Sequence, residues 1–183
     1  ENPFIFAKEP KVTKFLAGFL KSPADIHIYD NQGNHVGKSG IIIEKEIPGL
    51  NFYTGPDNEP EAFMLVGEDN YTIELIGTST GKIDFELFFY HKDKGGIIVN
   101  FEDVEFTSST VGKIYINPDS QFILHLDNNG DGQSDETVTP EIDEYDDFDV
   151  PDENIHQIPE FNWYTLILSI IVVTIFVLIK RKL

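Results

Sequence analysis

The sequence predicts an all-β fold, an antiparallel β-sandwich of the jelly-roll or immunoglobulin-like type with about eight strands, followed by one C-terminal transmembrane helix. Three observations lead to this prediction. Apolar and polar residues alternate in short runs through the first two thirds of the chain. Turn residues separate these runs about every eight to twelve residues. Near the C-terminus, residues 163–179 carry no charge and are nearly all apolar.

Each predicted strand is a run in which one side is apolar, as expected for a strand with one buried face. In the stretch ADIHIYD, for example, Ala24, Ile26 and Ile28 lie on one side. The turn Asn31-Gln32-Gly33-Asn34 follows this run. The predicted strands cover residues 24–30, 40–47, 62–67, 70–77, 82–91, 97–107, 112–117 and 122–127.

The composition limits the functions that the chain can have. The formal net charge is -19, and the only cluster of basic residues lies at the C-terminus, so the sequence argues against a nucleic-acid partner. The chain has no cysteine, which excludes disulfides, thiolate metal sites and cysteine nucleophiles.

The uncharged run at 163–179 predicts a membrane-spanning helix. Lys180, Arg181 and Lys182 follow it directly, and such basic residues stay on the cytoplasmic side of a membrane. The rest of the chain is therefore expected to lie outside the cell, as a single-pass membrane protein of the cell surface.

An acidic segment precedes the membrane run. Eleven acidic residues and no basic one lie between positions 135 and 160, with three prolines among them, so we expect an extended stalk. The chain begins at Glu1 without a signal peptide, and we expect it to be a processed chain or a piece of a longer one. The predicted organisation is a remnant or linker at 1–11, a β-sandwich at 12–134, the stalk at 135–160 and the membrane segment at 161–183.

The stretch DNNGDGQSD at 127–135 predicts a calcium site. Oxygen ligands at alternate positions can surround one hard cation, and a glycine such as Gly132 allows the sharp turn that this needs. The position that would hold a bidentate glutamate in an EF-hand loop is Val138, and Glu136 or Glu141 would have to complete the shell. An ordinary Asn/Gly/Asp turn is the alternative. The stretch is similar to the calcium loops of dockerin and thrombospondin-type repeats. The predicted calcium ligands are Asp127, Asn129, Asp131, the carbonyl of Gln133, and Asp135.

Pro159, Glu160 and Phe161 stand immediately before the membrane run. Together with the apolar run and the basic end, this tripeptide resembles the archaeal PEF-CTERM sorting signal. The resemblance implies recognition by an archaeosortase, cleavage near the tripeptide and transfer of the protein to a lipid. A permanent single-pass anchor is the alternative.

Three stretches resemble a β-sandwich module of archaeal and bacterial surface proteins. They are SPADIHIYDNQGNHVG at 22–37, IPGLNFYTGP at 47–56 and NYTIELIGTSTGKIDFEL at 70–87. The resemblance covers most of residues 12–130 and implies an accessory domain that is often attached to something larger.

The residues that could carry chemistry do not form a catalytic motif. The chain has neither an H-E-x-x-H motif nor a G-x-S-x-G elbow, and we interpret His27, His91 and His125 as structural residues of strands. Asn70 begins an N-glycosylation sequon.

We therefore predict a non-enzymatic, calcium-stabilised surface module with a membrane or sortase-type anchor. The alternative is the accessory and anchoring part of a larger surface hydrolase whose catalytic domain precedes Glu1. A carbohydrate-binding sandwich is a third hypothesis, with Tyr53, Tyr90 and Tyr115 as the candidate binding residues. The protein or glycan ligand is not predicted.

Overall fold

The structure is a computed structural model that describes residues 14–21, 23–39, 42–54, 61–66, 70–91, 95–117 and 122–145. The chain divides into two units, Glu1–Phe148 and Asp149–Leu183, and every described residue belongs to the first. These residues form strands and their connections, without a helix in the described ranges. The all-β class is therefore confirmed. The predicted transmembrane helix at 161–183 lies outside the described residues.

The described part of the chain contains thirteen strands, more than the eight expected. They are β1 (Lys14–Lys21), β2 (Ala24–Asp30), β3 (His35–Ser39), β4 (Ile42–Lys45), β5 (Leu50–Thr54), β6 (Glu61–Val66), β7 (Tyr71–Gly77), β8 (Gly81–His91), β9 (Gly95–Phe106), β10 (Val111–Ile116), β11 (Leu124–Asp127), β12 (Glu136–Val138) and β13 (Glu141–Tyr145).

The strands form two antiparallel sheets. The six-stranded sheet has the order β13-β9-β8-β1-β6-β5, and the seven-stranded sheet has the order β12-β11-β10-β7-β2-β3-β4. In the described part, five of the eleven strand pairs join strands that are not consecutive in sequence. Among them, β1 pairs with both β6 and β8, and β2 pairs with β7. The centre of each sheet therefore forms only when distant parts of the chain meet.

One hydrophobic core joins the two sheets. Ile26 and Ile73 of the seven-stranded sheet belong to the same buried cluster as Phe85 and Leu87 of the six-stranded sheet. These side chains are at most 1% exposed. Because the cluster draws on both sheets, the sheets pack face to face, and burial of their inner faces is the main favourable term in folding.

The eight predicted strands are all present, with ends that differ by no more than two residues from the predicted ones. Five further strands were not predicted. Strand β5, LNFYT, alternates but covers only five residues. The other four are short or lack the alternating pattern. In β1, KFLAGFLK, three consecutive residues are buried, so the two faces cannot be told apart by hydrophobicity. Strand β3, HVGKS, is short and mostly polar.

The remaining two strands lie inside the segment that was predicted to be an acidic stalk. Strand β12 pairs with β11 at the edge of the seven-stranded sheet, and β13 pairs with β9 at the edge of the six-stranded sheet. Acidic side chains are compatible with edge strands, because only one side of such a strand is paired and charge prevents further pairing. The stalk prediction therefore differs from the structure at 136–145, and residues 146–160 lie outside the described part.

A buried carboxylate also connects the two sheets. Glu61, the first residue of β6, is 1% exposed, and its Oε2 accepts a hydrogen bond from the backbone N–H of Ile26 in the opposite sheet. Ile26 lies one residue beyond the β2–β3 ladder, which ends at His27 and Gly37. The other carboxylate oxygen, Oε1, has no hydrogen-bond partner in the described structure. Burial raises the pKa of Glu61 to about 7, although the hydrogen bond from Ile26 lowers it.

Replacing Glu61 tests this contact. Between its ordinary pKa and about 7, the folded protein keeps the Glu61 proton and the unfolded chain releases it, so the free energy of unfolding falls as the pH rises through this range. The loss amounts to roughly 3 kcal/mol. The variant Glu61→Gln keeps an acceptor for Ile26 without the charge, and we expect it to be more stable than the parent at pH 8 and similar to it at pH 5.

The measurement is urea unfolding of the full-length chain in detergent, followed by the circular dichroism of the sheets. The exposed Glu105→Gln is the matched control, and it should keep the pH dependence of the parent. An unchanged difference between pH 5 and pH 8 in Glu61→Gln would contradict the assignment.

Candidate functional site

The loop at 127–135 connects β11 to β12 and is closed at its base by the main chain. Asp127 is the last residue of β11, and the N–H of Asp135 donates to the carbonyl of Leu126 at 2.8 Å. The loop also contacts the turn between β9 and β10, where the Ser109 hydroxyl lies 3.5 Å from the Asn128 carbonyl oxygen. The predicted site is therefore part of the folded body.

The Asp127 carboxylate organises the loop from inside. Its Oδ1 accepts hydrogen bonds from the N–H groups of Asn129 and Gly130 at 3.2 and 2.7 Å. Its Oδ2 accepts one from the N–H of Gly132 at 2.7 Å. Desolvation raises the pKa of Asp127, but the hydrogen bonds from the backbone N–H groups lower it by more. The pKa therefore lies below its ordinary value. The carboxylate is therefore ionised at neutral pH.

The next side chains repeat this pattern at alternate positions. Asn129 Oδ1 accepts the N–H of Asp131 at 2.9 Å, and Asp131 Oδ1 accepts the N–H of Gln133 at 2.8 Å. Asp135 turns back over the loop, with Oδ2 accepting the N–H of Asn128 at 2.8 Å and Oδ1 accepting the side-chain amide of Asn129 at 3.3 Å. The structure thus brings the predicted residues into one network, in which Gln133 contributes its N–H.

Two glycines make the turn possible. Gly130 has a φ of 77° and Gly132 has a φ of 84°, a region that residues with a β-carbon seldom adopt. An added Cβ at Gly132 would meet no atom within 4 Å. The requirement for glycine at this position is therefore conformational rather than steric, in line with the role predicted for it.

The donor set suits a hard cation better than any other ligand, because it consists of carboxylate and amide oxygens at alternate positions. Val138 lies in β12 opposite Leu124, so no bidentate carboxylate stands at the twelfth position of the loop. In the described ranges, no group of three or more histidine, aspartate or glutamate side chains is placed to hold a metal ion. Calcium would therefore have to attract carboxylate oxygens that are now oriented by backbone N–H groups.

Other predicted sites are only partly within the structure. Asn70 is exposed and directly precedes β7, so the sequon lies on the surface. The sorting residues 159–161 and the basic residues 180–182 lie outside the described residues. Within the described residues, no helix has the length and apolar character needed to cross a membrane.

The three candidate carbohydrate-binding tyrosines do not lie on one sheet. Tyr53 and Tyr90 belong to β5 and β8 of the six-stranded sheet, whereas Tyr115 belongs to β10 of the seven-stranded sheet. Tyr90 is also only 7% exposed. The structure therefore offers no shared platform formed by these three rings.

A histidine pair was missed by the sequence interpretation. His27 in β2 and His35 in β3 place Nδ1 and Nε2 at 2.9 Å from each other, although each histidine had no evident partner in the sequence. The sequence does hold one indication of this contact: positions 27 and 35 lie on either side of the short turn at 31–34, and they fall on the same face of the two paired strands. Using it required the pairing of β3, which the sequence did not predict.

None of the protein-family models, curated proteins or solved structures compared with the chain matches it. The class that the structure itself defines is a two-sheet antiparallel β protein with an acidic loop built on successive side-chain to backbone hydrogen bonds.

The conformation of Gly132 can be tested directly. We expect Gly132→Ala to lower the free energy of unfolding by about 1–2 kcal/mol in calcium-free buffer, because alanine disfavours a positive φ. The matched variant Gly132→Asn should cost less, since asparagine tolerates this conformation. Thermal unfolding of the full-length chain distinguishes the two, and equal losses for both variants would argue against the left-handed turn.

Proposed function

We propose that this protein is a non-enzymatic β-sandwich module of the cell surface, of the jelly-roll or immunoglobulin-like type, which calcium stabilises at the 127–135 loop. The observation that carries the proposal is the alignment of Asp127, Asn129 and Asp131 by successive turns of the main chain. The hydrogen bonds of these turns already order the loop that carries the three side chains. Calcium binding would have to turn their oxygens toward the ion, but it would not have to order the main chain.

The position of the loop suggests what calcium would do. The chain leaves the loop into β12 at the edge of the seven-stranded sheet and then crosses to β13 at the edge of the six-stranded sheet. The segment after the loop therefore closes one edge of both sheets. A cation held by Asp127, Asp131 and Asp135 would reduce the repulsion among their charges and stiffen the start of this segment.

An extracellular location supports a weak calcium site. Extracellular calcium modules work with dissociation constants of about 0.1–1 mM. The absence of a bidentate glutamate at Val138 agrees with an affinity in this range, and Asn129 lowers the charge of the ligand set. A site of this strength would be filled outside the cell and empty in the cytosol.

The proposed anchor is the segment at 161–183. Its uncharged run is long enough to enter a bilayer, and Lys180, Arg181 and Lys182 would keep its end in the cytoplasm. The resemblance of Pro159, Glu160 and Phe161 to a PEF-CTERM signal supports processing by an archaeosortase and transfer to a lipid. Under this proposal the acidic residues between the sheets and the membrane hold the module away from the surface.

Calcium stabilisation is testable on the full-length chain in detergent. At a calcium concentration about tenfold above the dissociation constant, we expect a gain of roughly 1.4 kcal/mol in the free energy of unfolding. For a body of this size the melting temperature rises by about 3–5 °C. Millimolar magnesium should give a smaller rise, because magnesium gives up its water ligands reluctantly.

The variant Asp131→Asn should lose the calcium response. Asp103→Asn is the matched control, since Asp103 is an exposed aspartate outside the loop and asparagine tolerates its positive φ of 57°. A melting temperature that does not respond to millimolar calcium, or that responds equally in Asp131→Asn, would rule out the site.

The anchor is tested in native cells by fractionation and intact-mass measurement. We expect the protein in the membrane fraction, released by detergent, with a mass that lacks residues 162–183 and carries a lipid. Glu160→Gln should reduce the processing. A mature protein that retains 180–183 would contradict sorting but keep the anchor, and a protein that is soluble without detergent would contradict both.

A further inference from the structure

The histidine pair lies on the outer face of the seven-stranded sheet, away from the calcium-type loop. Ile26 and Ile28 point into the core, so His27 between them faces outward. Both His27 and His35 are nevertheless only 9% exposed. Their rings are 5.1 Å apart and nearly parallel, at 11°, and the Tyr29 ring stacks on His35 at 4.7 Å. Neighbouring side chains therefore hold both rings in place.

A glycine lies directly beside the point where the two ring nitrogens meet. Gly37 is directly opposite His27 in the β2–β3 register. An added Cβ on Gly37 would lie 2.8 Å from His35 Nε2 and 2.9 Å from His27 Nδ1, closer than side-chain atoms can approach. A side chain at position 37 would therefore collide with both ring nitrogens, and glycine is what allows the two rings to meet here.

A carboxylate orients the second ring from its far side. His35 Nδ1 lies 2.7 Å from Glu44 Oε2, and a carboxylate only accepts hydrogen bonds, so Nδ1 carries the proton. In the neutral ring, Nε2 therefore presents its lone pair to His27, whose Nδ1–H donates to it at 2.9 Å. For both nitrogens to bind a metal, His27 must carry its proton on Nε2 instead. Histidines that bind metals commonly donate their other ring N–H to a carboxylate in this way, which fixes the orientation of the ring.

The surrounding charges also favour a cation. Glu74 is opposite His27 in the β2–β7 register, and Asp25 lies two residues before His27 on the same face. Lysines neutralise part of this charge, because Lys113 pairs with Glu74 at 2.9 Å and Lys38 lies 3.8 Å from Asp25. The Glu44 carboxylate behind His35 adds a further negative charge.

We propose that His27 and His35 form a binding site for a divalent transition metal, with Cu²⁺ or Ni²⁺ preferred over Zn²⁺. With metal–nitrogen bonds of about 2.0 Å, a nitrogen separation of 2.9 Å corresponds to an angle of about 90° at the metal. Such an angle suits neighbouring positions of a square-planar or octahedral ion, whereas tetrahedral Zn²⁺ needs a wider one. Water molecules complete the coordination.

This site differs in chemical class from the calcium-type loop. Imidazole nitrogens suit copper and nickel, whereas the carboxylate and amide oxygens of residues 127–135 suit calcium. The proposal therefore does not depend on the proposed function, and either site can exist without the other.

The test is a titration of the full-length chain in detergent with Ni²⁺ and Cu²⁺, at saturating calcium, followed by calorimetry and by the electron paramagnetic resonance of bound Cu²⁺. We expect one equivalent of metal and hyperfine structure from two imidazole nitrogens. His27→Gln and His35→Gln should each weaken binding by about a hundredfold or more. Glu44→Gln should weaken it by about 10- to 100-fold, because Glu44 positions His35.

Three further variants make the result specific. His125→Gln changes a histidine on the same face of the same sheet and should leave the affinity unchanged, as should Asp131→Asn in the loop. Gly37→Ala keeps both histidines but places a methyl group against both ring nitrogens, and it should abolish binding. Circular dichroism verifies that each variant is folded, and should Gly37→Ala not fold, the two histidine variants decide.

The proposal is overturned if the parent chain binds neither Ni²⁺ nor Cu²⁺, which would leave the 2.9 Å contact as a hydrogen bond between neutral rings. It is equally overturned if binding persists in both His27→Gln and His35→Gln, or if bound Cu²⁺ shows a single imidazole nitrogen.

Discussion

The alternation of side chains along β-strands is the constraint on which the rest of this structure depends. Each strand that buries residues such as Ile26 and Ile28 between the sheets must present the intervening residues to the opposite side. The core is therefore the reason that His27 faces outward and that Glu74 and Lys113 align with it across the sheet. The polar row on the outer face is a consequence of apolar burial, and a register shift of one residue would destroy both together.

The sequence predicts much of this fold because alternation is a local signal. The strands at 24–30, 70–77 and 82–91 were predicted almost to the residue, since each shows one apolar side. Strand β1 was missed because both of its sides carry apolar residues, so its sequence shows no alternation. Strands β12 and β13 were missed because acidic composition indicates an extended chain, and only the exposed edges of the two existing sheets allow such a sequence to pair.

The two candidate sites differ in how far the sequence could reveal them. The loop at 127–135 lies within nine consecutive residues, so its spacing alone predicted which side chains would converge, and the structure shows those side chains in one hydrogen-bonded network. The contact of His27 with His35 and of His35 with Glu44 requires the registers of β2, β3 and β4. The contact of Glu61 with Ile26 requires the packing of one sheet on the other, which no local pattern contains.

Excess negative charge links these features physically. The chain has 32 acidic and 13 basic residues, so most of its carboxylates cannot form an ion pair with a lysine or arginine of the same chain. Those that are buried need another partner. Backbone N–H groups donate hydrogen bonds to Asp127, and His35 donates one to Glu44. Burial raises the pKa of Glu61, so that a proton can neutralise it. At each of these three carboxylates, a bound cation or a change of pH would alter the free energy of unfolding. A body with this charge repels itself, so cations that bind or screen these carboxylates would raise its free energy of unfolding, as the proposed calcium site requires.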